Sequence, residues 1–143
     1  MTKLDEKQQS GVAFIGGVMG DKFGEQFRQA CEGDAFGSPI TRNAASACFH
    51  EAWQHPGLTR KEKSIAIIGM MIALRLPAEL KNHVKVGLAN GLTVAELEGI
   101  LVQVAPYVGF PCVAPSITAV VEAMREAGVS PEGLKTAEER GLL

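Results

Sequence analysis

Glu79 and His83 lie four residues apart in the segment Pro77-Ala-Glu-Leu-Lys-Asn-His-Val-Lys-Val-Gly-Leu-Ala-Asn-Gly91. On a helix that spacing places one side chain a turn above the other. A histidine whose carboxylate neighbour fixes its tautomer and raises its basicity is a general acid/base arrangement. The plainer role of such a pair is structural, because a partly buried histidine bonded to a glutamate also has a perturbed pKa. A second group of candidates lies upstream. Glu51 is another potential acid, His50 and Trp53 flank it, and Arg42 has the forked geometry to meet a substrate carboxylate. Each has its own bland alternative: Glu51 a surface carboxylate, Trp53 a packing residue, Arg42 a solvated cation at a helix start. His50 and His55 are five apart, so they do not form the i, i+4 pair that binds a metal on an α-helix face, and no metal site is expected.

Chemistry at these positions needs elements to hold it. Leu80, Val84 and Leu88 recur every fourth residue, which marks the buried stripe of a helix starting at Pro77 and stopping at Asn90-Gly91. The rest of the chain repeats this pattern, and no strand-like alternation persists, so the expected class is all-α. Helices are expected over roughly Lys3 to Met19, from Asp21 to about Cys31, and from Ile40 to Gln54, with a loop from Gly33 to Pro39. Thr59-Arg-Lys-Glu62 and Thr93-Val-Ala-Glu96 read as capping boxes, opening helices to about Leu76 and Val108. Pro111 then predicts a break before a last long helix, Ala114 to Ala127, and Ser130-Pro131 predicts a short tail helix. Gly11, Gly16, Gly17 and Gly20 lack a preceding strand and a Gly-Lys-Ser/Thr, so they read as close helix contacts and not as a phosphate loop.

With 46% hydrophobic and 21% charged residues the chain is expected to fold as one domain spanning residues 1–143. A formal charge of −2, spread along the chain, excludes the concentrated basic face of a nucleic-acid binder. Ile65 to Leu74 is unbroken and nonpolar but only about half a membrane span long. The polar Met1 to Ser10 segment lacks a signal-peptide pattern, and Cys31, Cys48 and Cys112 are too few and too scattered for a disulfide framework. Together these predict a cytoplasmic protein with no membrane partner. Cys112 reads as an inert small hydrophobe. The helix after Thr59 is apolar on every side, which a domain this small can hardly cover, so a homo-oligomer is expected.

From about Phe36 to Ala127, nearly two thirds of its length, the chain resembles the carboxymuconolactone decarboxylase family. The matching pieces are Glu51-Ala-Trp53, Pro56-Gly57-Leu58, Thr59 to Ser64, and the apolar helix that follows. Glu79-Leu-Lys-Asn-His83-Val, the Asn90 to Thr93 turn, Glu96, and Tyr107-Val-Gly-Phe-Pro111 complete the match. The resemblance implies an all-helical fold assembling as trimers or hexamers. It also implies decarboxylation of a small unsaturated lactone or keto acid, as in aromatic-compound catabolism, with no metal or organic cofactor. In that chemistry the electron pair left by carbon dioxide enters a conjugated carbonyl, and a protein group stabilises the dienolate and protonates carbon. His83 is then the proton donor or dienolate stabiliser, Glu79 orients it, and Glu51 is a further acid. His50 stands where a glycine is usual in the family's Trp-Gly-Glu-x-Trp motif, and the Tyr107 to Pro111 segment also departs from the usual pattern.

The superfamily's alkylhydroperoxidase-type members carry Cys-x-x-Cys followed by a histidine. Counted back from His83, the two cysteine positions fall on Leu76 and Glu79, so the dithiol is absent. Two alternatives are an oxidoreductase with some other redox centre and a non-catalytic oligomeric protein that binds small molecules.

Overall fold

A computed structural model describes all 143 residues as helices and connecting turns, without a strand. The residues fall into two units, Met1–Thr59 and Arg60–Leu143. Each is built around its own hydrophobic cluster.

In the N-terminal unit, α1 (Glu6–Met19) starts later than the apolar pattern suggests because Asp5 caps it. The Asp5 carboxylate accepts from Gln8 N at 2.8 Å, and the Gln8 side chain accepts from Asp5 N at 3.1 Å. Gly20, at φ 95°, ends α1 and leads into α2 (Asp21–Glu32). The two helices approach closely where Gly16 faces Gly24: a Cβ on Gly24 would stand 2.7 Å from Gly16 Cα. α3 (Ser38–Asn43) begins two residues earlier than expected, because Pro39 fits its first turn.

The helix expected to run on to Gln54 does not stay α-helical. From Ala44 to Ala52 it is wound as a π-helix, with i→i+5 bonding that ends at Trp53 N→Cys48 O, 2.9 Å. The π segment packs on α1, and at Gly11 the two backbones nearly touch. A Cβ there would lie 1.8 Å from Ala45 O. Leu4, Val12, Cys31 and Ala45 form the buried cluster beneath this contact, with Phe27 against it.

The C-terminal unit holds α4 (Arg60–Ala73), α5 (Pro77–Ala89), α6 (Val94–Val108) and α7 (Phe110–Glu126). α4 stops short of Leu76: Arg75 adopts φ 57°, and Leu76 N reaches back to Met71 O at 3.1 Å. α5 has the expected limits, closed by Gly91 at φ 93° with Leu92 N→Gly87 O at 2.9 Å. The Thr93–Glu96 capping box opens α6 as expected. Pro111 does not break a helix. It sits in the first turn of α7, where a missing N–H costs nothing, so α7 starts at Phe110 and not Ala114. The tail helix predicted from Ser130-Pro131 does not form; the tail runs in turns. It is tied down instead by Arg125 Nη2→Glu139 Oε2 at 2.8 Å and Ala137 N→Thr118 Oγ1 at 3.1 Å.

The core here is Ile68, Ile72, Leu80, Val84, Leu97 and Ala123 with their neighbours. α4 is not covered all round within the chain. Ile68 and Ile72 are buried, but Met70 and Leu74 are 52% and 62% exposed. No helix is long and apolar enough to cross a membrane.

Candidate active site

The six candidate residues divide between the units. Glu79 and His83 are on α5; Arg42, His50, Glu51 and Trp53 are on α3, the π segment and the residue after it.

On α5 the apolar stripe expected from the sequence does its work. Leu80 and Val84 are 1% and 0% exposed, and Gly87 lets Leu92 and Ile68 close over the helix. Lys81 bonds Glu122 at 3.1 Å and Glu126 at 2.8 Å, and Lys85 also pairs with Glu126, which ties α5 to α7. Bonding to Lys81 and then Lys85 holds Glu126 down at about 2. His83, two residues from each lysine, leaves the opposite side of the helix. Glu79 is exposed in the first turn, where a carboxylate complements the helix dipole. His83 is half-buried and its Nδ1 is sealed from solvent. Burial pushes the imidazole below its ordinary 6.5, while the Glu79 carboxylate pulls it the other way. The resting state at neutral pH is therefore the neutral imidazole, next to a carboxylate that favours the imidazolium.

In the N-terminal unit Lys7, Ser10, Gly11 and Phe14 share one face of α1 and meet the π segment. Lys7 Nζ lies 2.6 Å from Glu51 Oε1. That bond, reinforced by charge attraction, holds the Glu51 carboxyl below the usual range. Glu51 is consequently a carboxylate, suited to orienting a cation more than to donating a proton. His50 Nδ1 is 2.9 Å from Ser10 Oγ, which in turn lies 3.2 Å from Gln54 Nε2. In an α-helix consecutive residues point about 100° apart; the wider π turn changes that phase, and here His50 and Glu51 both reach α1.

Trp53, considered as a substrate contact, is 4% exposed and stacks at a tilt on Phe14, ring centroids 6.2 Å apart. That is a packing position. Arg42, considered for a substrate carboxylate, gives Nη1 to Cys31 O at 2.7 Å and Gly33 O at 3.2 Å. It thus satisfies carbonyls at the C-terminal end of α2, where a cation is favoured. His55 accepts from Gly57 N at 3.1 Å in a turn, and no three His, Cys, Asp or Glu side chains gather as a metal site would require. Lys7, Ser10 and Gln54 were not expected near the site. Their spacing in sequence carries no local signal, because they meet only through packing of helices some forty residues apart.

The C-terminal unit also has a cavity of about 890 Å³ between α6, α7 and the tail. Val94, Leu101, Ile117 and Met124 line it, and neither Glu79 nor His83 does.

The chain as a whole falls in a known class of protein. Residues 39–123, more than half of the chain, match the carboxymuconolactone decarboxylase family, and the chain belongs to that family. It is 30% identical over 82 residues to 4-carboxymuconolactone decarboxylase of Acinetobacter baylyi, covering 57% of this chain and 61% of that protein. It is 36% identical over 59 residues to nitrosuccinic acid decarboxylase of Metarhizium robertsii, covering 41% of each. The chain thus spans about three fifths and two fifths of the lengths of these relatives.

Proposed function

We propose that this protein is a cofactor-independent carboxy-lyase acting on a small acid whose carbanion is delocalised by an adjoining electron sink, such as an unsaturated lactone or keto acid. The observation that carries this reading is the pairing of decarboxylase relatives with the half-buried His83 beside Glu79. The two relatives' names describe different acids, yet each acid carries an electron-withdrawing group, a lactone in one and a nitro group in the other. Both can take up the electron pair that carbon dioxide leaves behind.

In the proposed reaction the carbon–carboxylate bond breaks heterolytically, carbon dioxide departs, and the pair enters the conjugated carbonyl as a dienolate. The His83 N–H donates a hydrogen bond to the developing oxyanion, where a half-buried donor is worth more than one in water. One proton is then delivered to carbon, so each turnover consumes one proton. A bound substrate carboxylate, together with Glu79, would draw His83 toward the imidazolium that supplies it. Glu51, held ionised by Lys7, is assigned the orientation of a protonated or cationic partner. Breakdown of aromatic compounds in the cytoplasm is the setting this chemistry suits.

The family match crosses from the N-terminal into the C-terminal unit, which supports treating residues 1–143 as one functional domain. The exposed Met70 on α4 and Leu74 just after it support a homo-oligomer, a trimer or hexamer, that would cover them. The absence of cysteine at 76 and 79 disfavours the dithiol peroxidase alternative.

The test is carbon dioxide release and proton uptake with 4-carboxymuconolactone and with nitrosuccinic acid. The wild type is expected to turn over at least one acid of this type, and His83→Ala to lose that activity with its oligomeric state unchanged. Undiminished turnover in His83→Ala would remove His83 from the mechanism, and inertness of the wild type toward both acids would defeat the lyase reading.

A further inference from the structure

The π segment and α1 share a hydrogen-bond chain that runs through Ser10. Gln54 Nε2 lies 3.0 Å from Phe49 O, a carbonyl that can only accept, so this atom is the amide NH2. The same NH2 lies 3.2 Å from Ser10 Oγ, which therefore accepts from it. Ser10 Oγ is 2.9 Å from His50 Nδ1. A serine has one proton to give. Ser46, in the same unit, gives its proton to its own helix at Arg42 O, 3.2 Å away. Ser10 instead turns its hydroxyl across to the π segment, with the imidazole in reach.

Ser10 Oγ can give its proton to His50 Nδ1 or accept a second bond from it, so the tautomer of the ring decides the direction. With Nδ1 accepting from Ser10, the neutral ring carries its proton on Nε2, the ring's remaining polar atom. His50 is half-buried, so the backbone and Ser10 hold the ring in place while part of it faces solvent. Beside it in sequence is Glu51, whose charge is matched by Lys7 at 2.6 Å. His50 and Glu51 both reach α1, so an Nε2–H donor and the Lys7 ammonium are carried by the same helix pair, and each suits an anionic or strongly polarised oxygen.

We propose that Ser10 and Gln54 are positioning residues that hold His50 as the Nε2–H tautomer, so that His50 donates to a carboxylate or comparable oxygen of a small acid bound beside Glu51. This rests on the reading of the protein as acting on small carboxylic acids. The sequence suggested His50 as a substrate contact; the geometry supplies the residues that would make it one and the ring atom that would do it.

The test uses the full chain labelled with 15N at histidine. Long-range 1H–15N correlations report which ring nitrogen is protonated, and His50→Gln assigns the signal. The wild type is expected to show the Nε2–H pattern of a neutral ring. Ser10→Ala should shift it toward a mixture of tautomers, and Ser10→Thr, which keeps the hydroxyl, should restore it. An Nδ1–H wild type, or a Ser10→Ala spectrum identical to the wild type, overturns the positioning role.

Maleate, an inert small unsaturated dicarboxylate, then probes the recognition role by titration. Losing one oriented neutral hydrogen bond should weaken its Kd about two- to tenfold in Ser10→Ala, with recovery in Ser10→Thr. An unchanged Kd overturns the substrate-facing half of the proposal. Neither measurement requires turnover. Intact tautomer and maleate results in a protein that releases no carbon dioxide would refute the lyase reading and leave the Ser10–His50 relay standing.

Discussion

Substituting Gly11 by alanine, with Gly17 as its control, tests whether the contact of α1 with the π segment holds Glu51 and His50 where they are. Both glycines lie within α1, so each gains about 1 kcal/mol of helix propensity on becoming alanine. Their surroundings are opposite. The new Cβ at position 11 would sit 1.8 Å from Ala45 O and 2.7 Å from Ala45 C, whereas nothing lies within 4 Å at position 17. An ordinary carbon–oxygen contact is about 3.4 Å, so the two backbones must separate by roughly 1.5 Å. The blocking atom is backbone, with no side-chain rotamer to swing away. Overpacking of this kind sits at the upper end of its range, about 3 kcal/mol. Net of propensity, Gly11→Ala should cost about 2 kcal/mol and Gly17→Ala should gain about 1 kcal/mol. Urea titrations at one fixed protein concentration measure the difference, which should separate the midpoints by on the order of 2 M. Gly11→Ala should also break the Lys7–Glu51 and Ser10–His50 contacts, visible as a rise in the Glu51 titration. A Gly11→Ala protein as stable as the wild type, or a Gly17→Ala protein equally damaged, would refute the close-approach argument.

Four further outcomes rest on the same contacts. Glu79→Gln removes the one charge that raises His83, so NMR should show the imidazole titrating lower than in the wild type, and an upward move would contradict the assignment of causes. The folded His83 already titrates below its unfolded 6.5, so the unfolded chain takes up the proton first and stability falls as pH drops from 6.5 through the folded value; Glu79→Gln should steepen that loss and His83→Gln should flatten it. Leu80→Ala empties a 1% exposed site beneath Glu79 and His83 and should cost about 2–5 kcal/mol in urea unfolding, whereas a loss under 1 kcal/mol would mean α5 is not anchored there. Lys7→Met removes the partner that depresses Glu51, and its carboxyl should return toward the ordinary glutamate range by carbonyl 13C titration.

The sequence carried the C-terminal unit well because its signals there are local. A proline at N1, a threonine capping box and an Asn-Gly stop act within one turn of the residues they control, and α5 and the start of α6 fall where those residues put them. The same local logic erred at Pro111 and Pro131. A proline disfavours a helix interior and fits a first turn, yet Pro106 and Pro115 lie inside α6 and α7, so composition alone does not say which position a proline will take. The all-α class and the close approaches at Gly11 and Gly16 were likewise legible, although Gly17 and Gly20 proved to face no such contact. The π winding of Ala44–Ala52 was not. It differs from an α-helix by one residue of bonding register, and apolar periodicity over nine residues does not resolve that difference. Arg42 and Trp53 could be named as chemically capable, but the carbonyls of α2 and the ring of Phe14 that engage them come from distant sequence.

The register of the π segment bears on chemistry as well as on packing. In an α-helix consecutive residues diverge by about 100°, and the π winding from Ala44 to Ala52 narrows that angle. In the wider winding both His50 and Glu51 reach α1, Glu51 to Lys7 and His50 to Ser10. Lys7 and Ser10 are themselves one turn apart on α1, so two adjacent residues of one helix are matched to an i, i+3 pair of the other. Such a match costs backbone regularity, because π-helix is less favourable than α-helix and persists where packing over-determines it. The over-determination is visible at Gly11, where only a residue without a Cβ lets Ala45 approach. Gly11, the π segment and the two polar pairs thus meet at one contact: the glycine permits the approach of Ala45, and the π segment presents a carboxylate and an imidazole side by side to α1.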